Sequence, residues 1–224
     1  MKTYRLIFLL LIVTGINSAA QLNKEPTDLL DKVYINKIIK FDSVSITGSP
    51  FLDAAFMTGA VEDSKGNVYL NVLLRYNVYN DYFEFEKEGI AYILEPEEFA
   101  VVAELDDKIY IYSEYIDKGK QTFGYMEIMA AGYCSLYKKH NVAYYPPKPP
   151  APFQESSPSG RFSKMAPKYY IGFESNLLLP IGTEKAFIDI VGDREESVKS
   201  YIKQNKLKFR KEEDLIEIIE FINK

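Results

Sequence analysis

The chain has 224 residues and a formal net charge of −5, which is long enough for one large domain and too acidic for nonspecific attraction to nucleic acid or anionic lipid. Its single cysteine, Cys134, excludes an intramolecular disulfide, and with the single histidine, His140, it cannot supply a zinc site of thiolate and imidazole ligands. The sequence contains no Gly-x-Ser-x-Gly elbow, P-loop or Gly-x-Gly-x-x-Gly motif, so we expect no catalytic residue, no metal and no cofactor.

Residues 1–20 have the three zones of a secretory signal peptide. Lys2 and Arg5 make the start positive, an apolar run extends from Leu6 to Val13, and Ser18-Ala19-Ala20 provides small residues for cleavage. The apolar run is too short to span a bilayer, and no cysteine stands at the cleavage point to carry a lipid. The sequence predicts a secreted or periplasmic protein, cut after Ala20 and without direct membrane insertion. An uncleaved anchor or a buried N-terminal helix is the alternative.

Residues 21–145 have the pattern of an antiparallel β-meander, either open or partly closed into a barrel. Alternation over residues 70–78 predicts a strand with one dry face, and Phe83 and Phe85 are expected to point inward on the next strand. Short spacing between turns favours hairpins over crossover helices. The dry face of the first strand is predicted to carry Leu70, Val72, Leu74, Tyr76 and Val78, opposite Asn71, Arg75 and Asn77.

Tyrosine is in excess, with 18 Tyr beside 14 Phe and no Trp. Tyrosine suits half-exposed strand faces because its body is apolar and its tip is polar. Stacking against sugar rings or a partner's side chains is the functional alternative, and Tyr79, Tyr110 and Tyr112 are its candidate residues. Cys134 shares a predicted strand face with Leu136, which indicates a buried structural thiol rather than a reactive one.

Residues 146–160 are rich in proline and are predicted to be extended, with polyproline character. This segment would be a spacer lying across the protein's own sheet or, alternatively, a ligand for an aromatic groove of a partner. Residues 161–182 are expected to supply a further strand that closes the sheet.

Residues 183–224 predict three amphipathic helices packed on the sheet, which makes the fold class α+β. Thr183 is expected to cap the first helix and Gly192 to end it, while Asp193 and Glu196 resemble a capping box for the second. An acidic polar face argues against a free membrane-bound helix. The three apolar stripes are Phe187, Ile190 and Val191; Val198, Tyr201 and Ile202; and Leu215, Ile218, Ile219 and Ile222.

Arg75 and Glu84 are the charged residues of the candidate site. A cross-strand pair of Arg75 with Glu84 or Glu86 would set the register of two strands, whereas a free guanidinium could bind a planar anion. His140 follows two lysines at a strand end and is expected to be solvated. Carboxylate-pair hydrolysis stays open, because acidic residues are numerous and Glu84 and Glu86 share a face.

Three stretches carry a resemblance to a known family: residues 48–52, with the sequence GSPFL, residues 74–85, with LRYNVYNDYFEF, and residues 208–216, with KFRKEEDLI. Together they resemble an uncharacterised family of signal-peptide-bearing exported proteins of Bacteroidota-type Gram-negative bacteria. The resemblance implies an envelope protein and supplies no activity, cofactor or catalytic residue.

The expected function is therefore that of an exported, non-enzymatic envelope protein that binds a protein partner or ligand, with an envelope protein or a glycan as the candidate partner. A small-molecule or lipid carrier in a partly closed β-barrel is one alternative. A carboxylate-based glycan hydrolase is the other. The candidate binding residues are Arg75, Tyr79, Glu84, Tyr110 and Tyr112, and the oligomeric state is left open.

Overall fold

A computed structural model describes residues 23–24, 46–94, 96, 102–147, 159–173 and 177–224. The predicted signal peptide and residues 148–158 of the proline-rich segment lie outside the described residues. Within the described part of the chain, no helix is both long enough and apolar enough to cross a membrane.

Two sheets and a C-terminal helical region make up the fold. The helices are α1 (Glu184–Val191), α2 (Glu195–Asn205) and α3 (Glu212–Ile222). The strands are β1 (Asn23–Lys24), β2 (Ile46–Thr47), β3 (Met57–Glu62), β4 (Val68–Asn77), β5 (Tyr82–Lys87), β6 (Ile90–Leu94), β7 (Val102–Leu105), β8 (Lys108–Asp117), β9 (Lys120–Ala130), β10 (Ser135–Lys139), β11 (Val142–Tyr145), β12 (Gly160–Lys164), β13 (Lys168–Gly172) and β14 (Leu179–Pro180).

The larger sheet joins two antiparallel meanders edge to edge. Its strand order is β14-β13-β10-β9-β8-β7-β3-β4-β5-β6, and β1 lies parallel to the start of β4. The meanders β3 to β6 and β7 to β10 meet where β3 pairs with β7. The smaller sheet has the order β11-β12-β2, with β2 parallel to β12. The fold is thus α+β with an antiparallel meander.

Three hairpins of the larger sheet turn on two residues that both have positive φ. The pairs are Glu88-Gly89 with φ of 53° and 75°, Asp106-Asp107 with 53° and 58°, and Lys118-Gly119 with 49° and 79°. Two-residue turns of this kind match the right-handed twist of the strands that they join. These two-residue turns therefore set the register of three strand pairs.

A β-bulge at Asn71 shifts the inward face of β4. Its φ is 55°, and Gly59 pairs with Val72 while Ala60 pairs with Leu70, so Asn71 has no partner on β3. An extra residue on one strand reverses the alternation beyond it. The prediction that Leu70 lies on the dry face is consequently wrong: Tyr69 is fully buried there, and Leu70 is half-buried.

The larger sheet curls into a half-barrel, so that the two meanders face each other. The ring centroids of Tyr76 and Phe83 lie 5.6 and 5.3 Å from that of Tyr110, and 6.0 and 4.8 Å from that of Tyr125. These rings are the centre of the main hydrophobic core, to which the inward Phe85 also belongs. The curl therefore buries aromatic side chains from both meanders in one core.

The far end of the sheet also folds back onto its middle. Leu178, just before β14, donates from its N–H to the carbonyl of Glu114 and accepts from the N–H of Ile116, both at 3.0 Å. Strand β14 pairs with β13 on its other side. The strands β8, β9, β10, β13 and β14 are thereby joined in a ring of backbone hydrogen bonds.

The three amphipathic helices predicted from the sequence are joined into two helical segments. A single 3-10 turn at Gly192–Arg194 joins α1 to α2 without a loop, and α3 is the separate helix. Thr183 caps α1 as predicted, because its Oγ1 accepts from the N–H of Ala186 at 3.1 Å. The predicted capping box is wrong, since Asp193 lies within the 3-10 turn and α2 begins at Glu195 with no side-chain cap.

The helices pack on β10 and β13 through a second hydrophobic core. Cys134 and Leu136 belong to it, as predicted for a buried thiol. Polar contacts fix the start of α3 to the sheet: Glu212 forms an ion pair with Lys138 at 2.6 Å and accepts from the Tyr169 hydroxyl at 2.8 Å. The residues that α1, α2 and α3 bury are Phe187, Ile188, Val191, Val198, Ile202, Leu215, Ile218, Ile219 and Ile222.

Candidate functional site

Arg75 pairs across the strands with Glu84, one of the two acidic partners that the sequence leaves open. They are direct partners on β4 and β5, with Arg75 Nε 2.7 Å and Nη2 2.5 Å from Glu84 Oε2. Arg75 also donates to the Ala54 carbonyl at 3.3 Å, and its Cζ lies 3.9 Å from the ring centroid of Phe51 and 4.2 Å from that of Phe56. Because the side chain of Glu84 is only 2% exposed, the guanidinium serves register and packing rather than presenting itself to an anion.

The three candidate tyrosines lie in different environments. Tyr79 is 39% exposed, but its ring packs on the smaller sheet, 5.2 Å from the Phe162 centroid and 6.2 Å from that of Tyr144. Tyr110 is fully buried in the half-barrel core and offers no surface to a partner. Tyr112 is half-buried and stacks on exposed Phe123 at 6.0 Å. The structure therefore brings Arg75 and Glu84 together but does not assemble the five predicted residues into one site.

His140 is enclosed rather than solvated, which corrects the sequence interpretation. Its Nε2 lies 2.5 Å from Oε2 of Glu127, and the two side chains are 13% and 5% exposed. Its ring contacts those of Tyr76 and Tyr110, with centroids 6.4 and 6.2 Å away. Burial, and then the charge of Glu127, raise the pKa of Tyr110 well above the ordinary phenol value. The pair of His140 and Glu127 is thus mostly enclosed beside the core tyrosines, and each side chain is already engaged by the other.

A groove between the helical region and the sheet is the candidate binding site. It has a volume of about 360 Å³, within the range of small-ligand pockets. Tyr133, at the corner before β10, is 55% exposed and meets Phe173 with its ring edge at a centroid distance of 5.6 Å. The groove is lined by Tyr133, Phe173, Ile190, Val191, Asp193, Arg194 and Ile222.

Two hydrogen bonds from one side chain hold Tyr133 at the groove. Asn223, directly after α3, accepts from the Cys134 N–H at 2.9 Å and donates to the Cys134 carbonyl at 2.8 Å. The amide thus pairs with the backbone of residue 134 as a neighbouring strand would. Gly132 allows this approach, because a Cβ at that position would clash with the amide of Asn223. The exposed ring of Tyr133 consequently stands on a rigid corner.

Arg194 supplies the cationic group of the groove. It donates through Nη1 to the carbonyl of Ile222 near the end of α3, and its Cζ lies 5.8 Å from the centroid of Tyr133. Neither Arg194 nor Asp193 forms an ion pair with any other residue in the described ranges. The guanidinium of Arg194 and the carboxylate of Asp193 therefore lie beside the aromatic and aliphatic side chains that line the groove. Such a set can hydrogen-bond and bury a ligand, while no cluster of three or more metal-ligating side chains occurs among the described residues.

The sequence interpretation did not include this groove, because its lining comes from four distant segments. Two local signals were nevertheless present. Tyr133 follows Gly132, a residue type that commonly ends a strand, and Arg194 is the one cation between Asp193 and Glu195-Glu196. Only the packing of α1 and α3 on β10 and β13 brings these signals to one place. Comparison of the chain with protein-family models, with curated proteins and with solved structures gives no match.

Proposed function

We propose that the protein is an exported, non-enzymatic binding protein of the cell envelope, and that the groove at Tyr133 holds its partner. The observation that carries the proposal is the exposed Tyr133 ring, fixed by Asn223 beside Arg194. Tyrosine and arginine, with tryptophan, are enriched among the side chains that dominate binding energy at interfaces. Export is proposed from the signal sequence of residues 1–20.

The alternative functions have less support from the side chains. A carrier would hold its cargo inside the half-barrel, where the rings of Tyr76, Phe83, Tyr110 and Tyr125 pack against one another. A hydrolase would need two carboxylates facing an open cleft. The buried acids Glu84 and Glu127 instead pair with Arg75 and His140. The binding role is the one that uses an accessible surface.

In-cell crosslinking tests the proposal. A photoreactive phenylalanine analogue is placed at Tyr133 in one variant and at Tyr145 in another, and crosslinked species are identified by mass spectrometry. Tyr145 is the matched control, because it is 42% exposed and lies 5.0 Å from the Cζ of Arg161. We expect a discrete crosslinked product from position 133 and none from position 145. Equal yields, or none at 133, would contradict the proposal.

A second measurement tests export. The mass of the protein purified from its native cells should correspond to a chain beginning at Gln21, recovered outside the cytoplasm. An intact N-terminus in the cytoplasmic fraction would contradict this part of the proposal.

A further inference from the structure

We infer that the groove binds the C-terminal carboxylate of a partner polypeptide that ends in an apolar residue. The inference rests on the binding role proposed above and adds the chemistry of the ligand. Three properties of the groove carry it: an anchored guanidinium with donors to spare, a nearby carboxylate without an ion pair, and an apolar space sized for one residue.

The guanidinium of Arg194 is placed to receive a carboxylate. It has five N–H donors in a planar fork, and the structure gives only the Nη1 bond to the Ile222 carbonyl. That bond and the ring of Tyr133 restrict the side chain, so less rotamer freedom is lost when a ligand binds. Arg194 is exposed, and no described carboxylate pairs with it. A terminal carboxylate could form a planar bidentate pair with the N–H groups of Arg194 that do not bind Ile222.

Asp193 provides the complementary acceptor. It precedes Arg194 in the same 3-10 turn, lines the same groove and is exposed. The last residue of a peptide carries both a backbone N–H and the terminal carboxylate. Asp193 can therefore accept a hydrogen bond from that N–H while Arg194 binds the carboxylate. The neighbouring Glu195 is neutralised by its ion pair with Lys199 on α2. Arg194 and Asp193 together therefore match a ligand that carries an anion and a donor side by side.

The apolar part of the groove favours a single hydrophobic side chain. Its volume of about 360 Å³ is near the lower end of the range for ligand pockets, roughly 300–1,000 Å³, which suits one terminal residue better than a long segment. Tyr133 and Phe173 form the aromatic wall, and Ile190, Val191 and Ile222 form the floor. A charged terminal side chain placed there would lose its hydration without a described partner on the floor.

Peptide binding by the purified mature protein tests the inference. Fluorescein-labelled hexapeptides that end in leucine or phenylalanine are titrated as free acids and as C-terminal amides, with fluorescence anisotropy as the readout. We expect the free acids to bind at least tenfold more tightly than the amides, and a terminal lysine or aspartate to lose at least tenfold. R194Q should abolish the difference between acid and amide. R161Q, which alters the matched arginine–tyrosine pair of the smaller sheet, should preserve it.

The outcomes separate this inference from the proposed function. Equal affinity for acid and amide, or no binding of any peptide by a folded protein that still crosslinks at position 133, would overturn the carboxylate inference alone. Competition by free phenylalanine or leucine at the same concentration as the peptides would make a free amino acid the ligand and overturn the polypeptide source. If R194Q shows a lowered melting temperature, D193N provides a second variant. It should weaken the peptide acids at least threefold, and unchanged affinity would count against the inference.

Discussion

Asp81 Oδ2 lies 2.5 Å from Lys139 Nζ, although the two residues are 58 positions apart in the chain. Asp81 is in the turn between β4 and β5, and Lys139 ends β10. Both bind the backbone of Tyr125 on β9: Lys139 donates to its carbonyl at 3.0 Å, and Asp81 Oδ1 accepts from its N–H at 3.4 Å. The ladder between β9 and β10 has already ended at the pair Lys138 and Glu127. The side chains of Asp81 and Lys139 therefore bind the backbone N–H and C=O of Tyr125, where β10 no longer pairs with β9. The ion pair thereby connects the first meander to the second.

Breaking this pair should destabilise the fold. K139M removes the ammonium and leaves Asp81 partly buried without its charge partner, so we expect the free energy of unfolding to fall by about 2 kcal/mol. K168M is the matched control, because Lys168 pairs with Asp117 at 2.6 Å but its side chain is 47% exposed. The control should lose less than about 1 kcal/mol. Urea denaturation of both variants measures the difference, and equal losses would contradict the role given to the pair.

The close approach of Gly132 to Asn223 predicts a second effect on stability. G132A places a methyl group against the Asn223 amide and should cost roughly 1–3 kcal/mol, as overpacking does. G182A is its control, since nothing lies within 4 Å of a Cβ at residue 182. Removing the amide with N223A relieves the clash, so the double variant should be more stable than the sum of the two single losses predicts. Additive losses in thermal unfolding would show that the two residues are not coupled.

Cys134 should be chemically inert in the folded protein. The residue is fully buried, and burial raises the pKa of its thiol to about 12, with Arg194 acting in the opposite direction. Because the thiolate is the reactive form, alkylation by iodoacetamide at pH 8 should be at least a hundredfold slower than in 6 M urea. N223A frees the Cys134 backbone and should accelerate the reaction in the native state. Rapid alkylation of the unaltered folded protein would contradict this placement.

The burial of Glu62 leads us to expect that the stability of the fold depends on pH. Its side chain is buried, Oε2 has no hydrogen-bond partner among the described residues, and burial followed by the charge of Asp63 raises its pKa above 4.5. The folded state therefore keeps this proton at pH values where the unfolded chain has lost it. Protonated Glu62 contributes its full share of stability at pH values below its pKa in the unfolded chain. That contribution is lost as the pH rises through its higher pKa in the folded state.

E62Q removes that titration. The variant should be about 1 kcal/mol more stable than the original protein at pH 7, because a neutral amide costs less to bury than a carboxylate. The gain should disappear near pH 4. E220Q, on the exposed side of α3, is the control and should change the pH profile little. Unfolding curves at several pH values provide the comparison, and an E62Q variant that is less stable at pH 7 would refute the reasoning.

Local patterns in the sequence were sufficient for much of the fold. Alternation placed Phe83 and Phe85 in the core, and the spacing of three and four residues placed the buried stripe of α3. A cross-strand partner for Arg75, either Glu84 or Glu86, also followed from position on adjacent strands, and the structure has Glu84. Each of these predictions depends on neighbours a few residues away, where the periods of strand and helix apply.

Other features depended on contacts that no local pattern contains. The bulge at Asn71 arises from pairing with β3, and a single residue of extra length reversed the predicted face of Leu70. His140 looked solvated beside two lysines, but the curled sheet brings Tyr76 and Glu127 to it. The groove at Tyr133 needs helical residues as distant as Ile190 and Ile222, which come 57 and 89 positions later.

The contact between Asp81 and Lys139 also has a consequence for folding kinetics. The hairpins with two-residue turns join residues that are close in the chain. The contact between Asp81 and Lys139 closes a long loop, so the chain loses conformational entropy before this contact contributes any stability. Hairpin formation should therefore precede the curling of the sheet. A contact made after the transition state acts mainly on the unfolding rate. Loss of the ion pair should thus leave the folding rate nearly unchanged and shorten the lifetime of the native state.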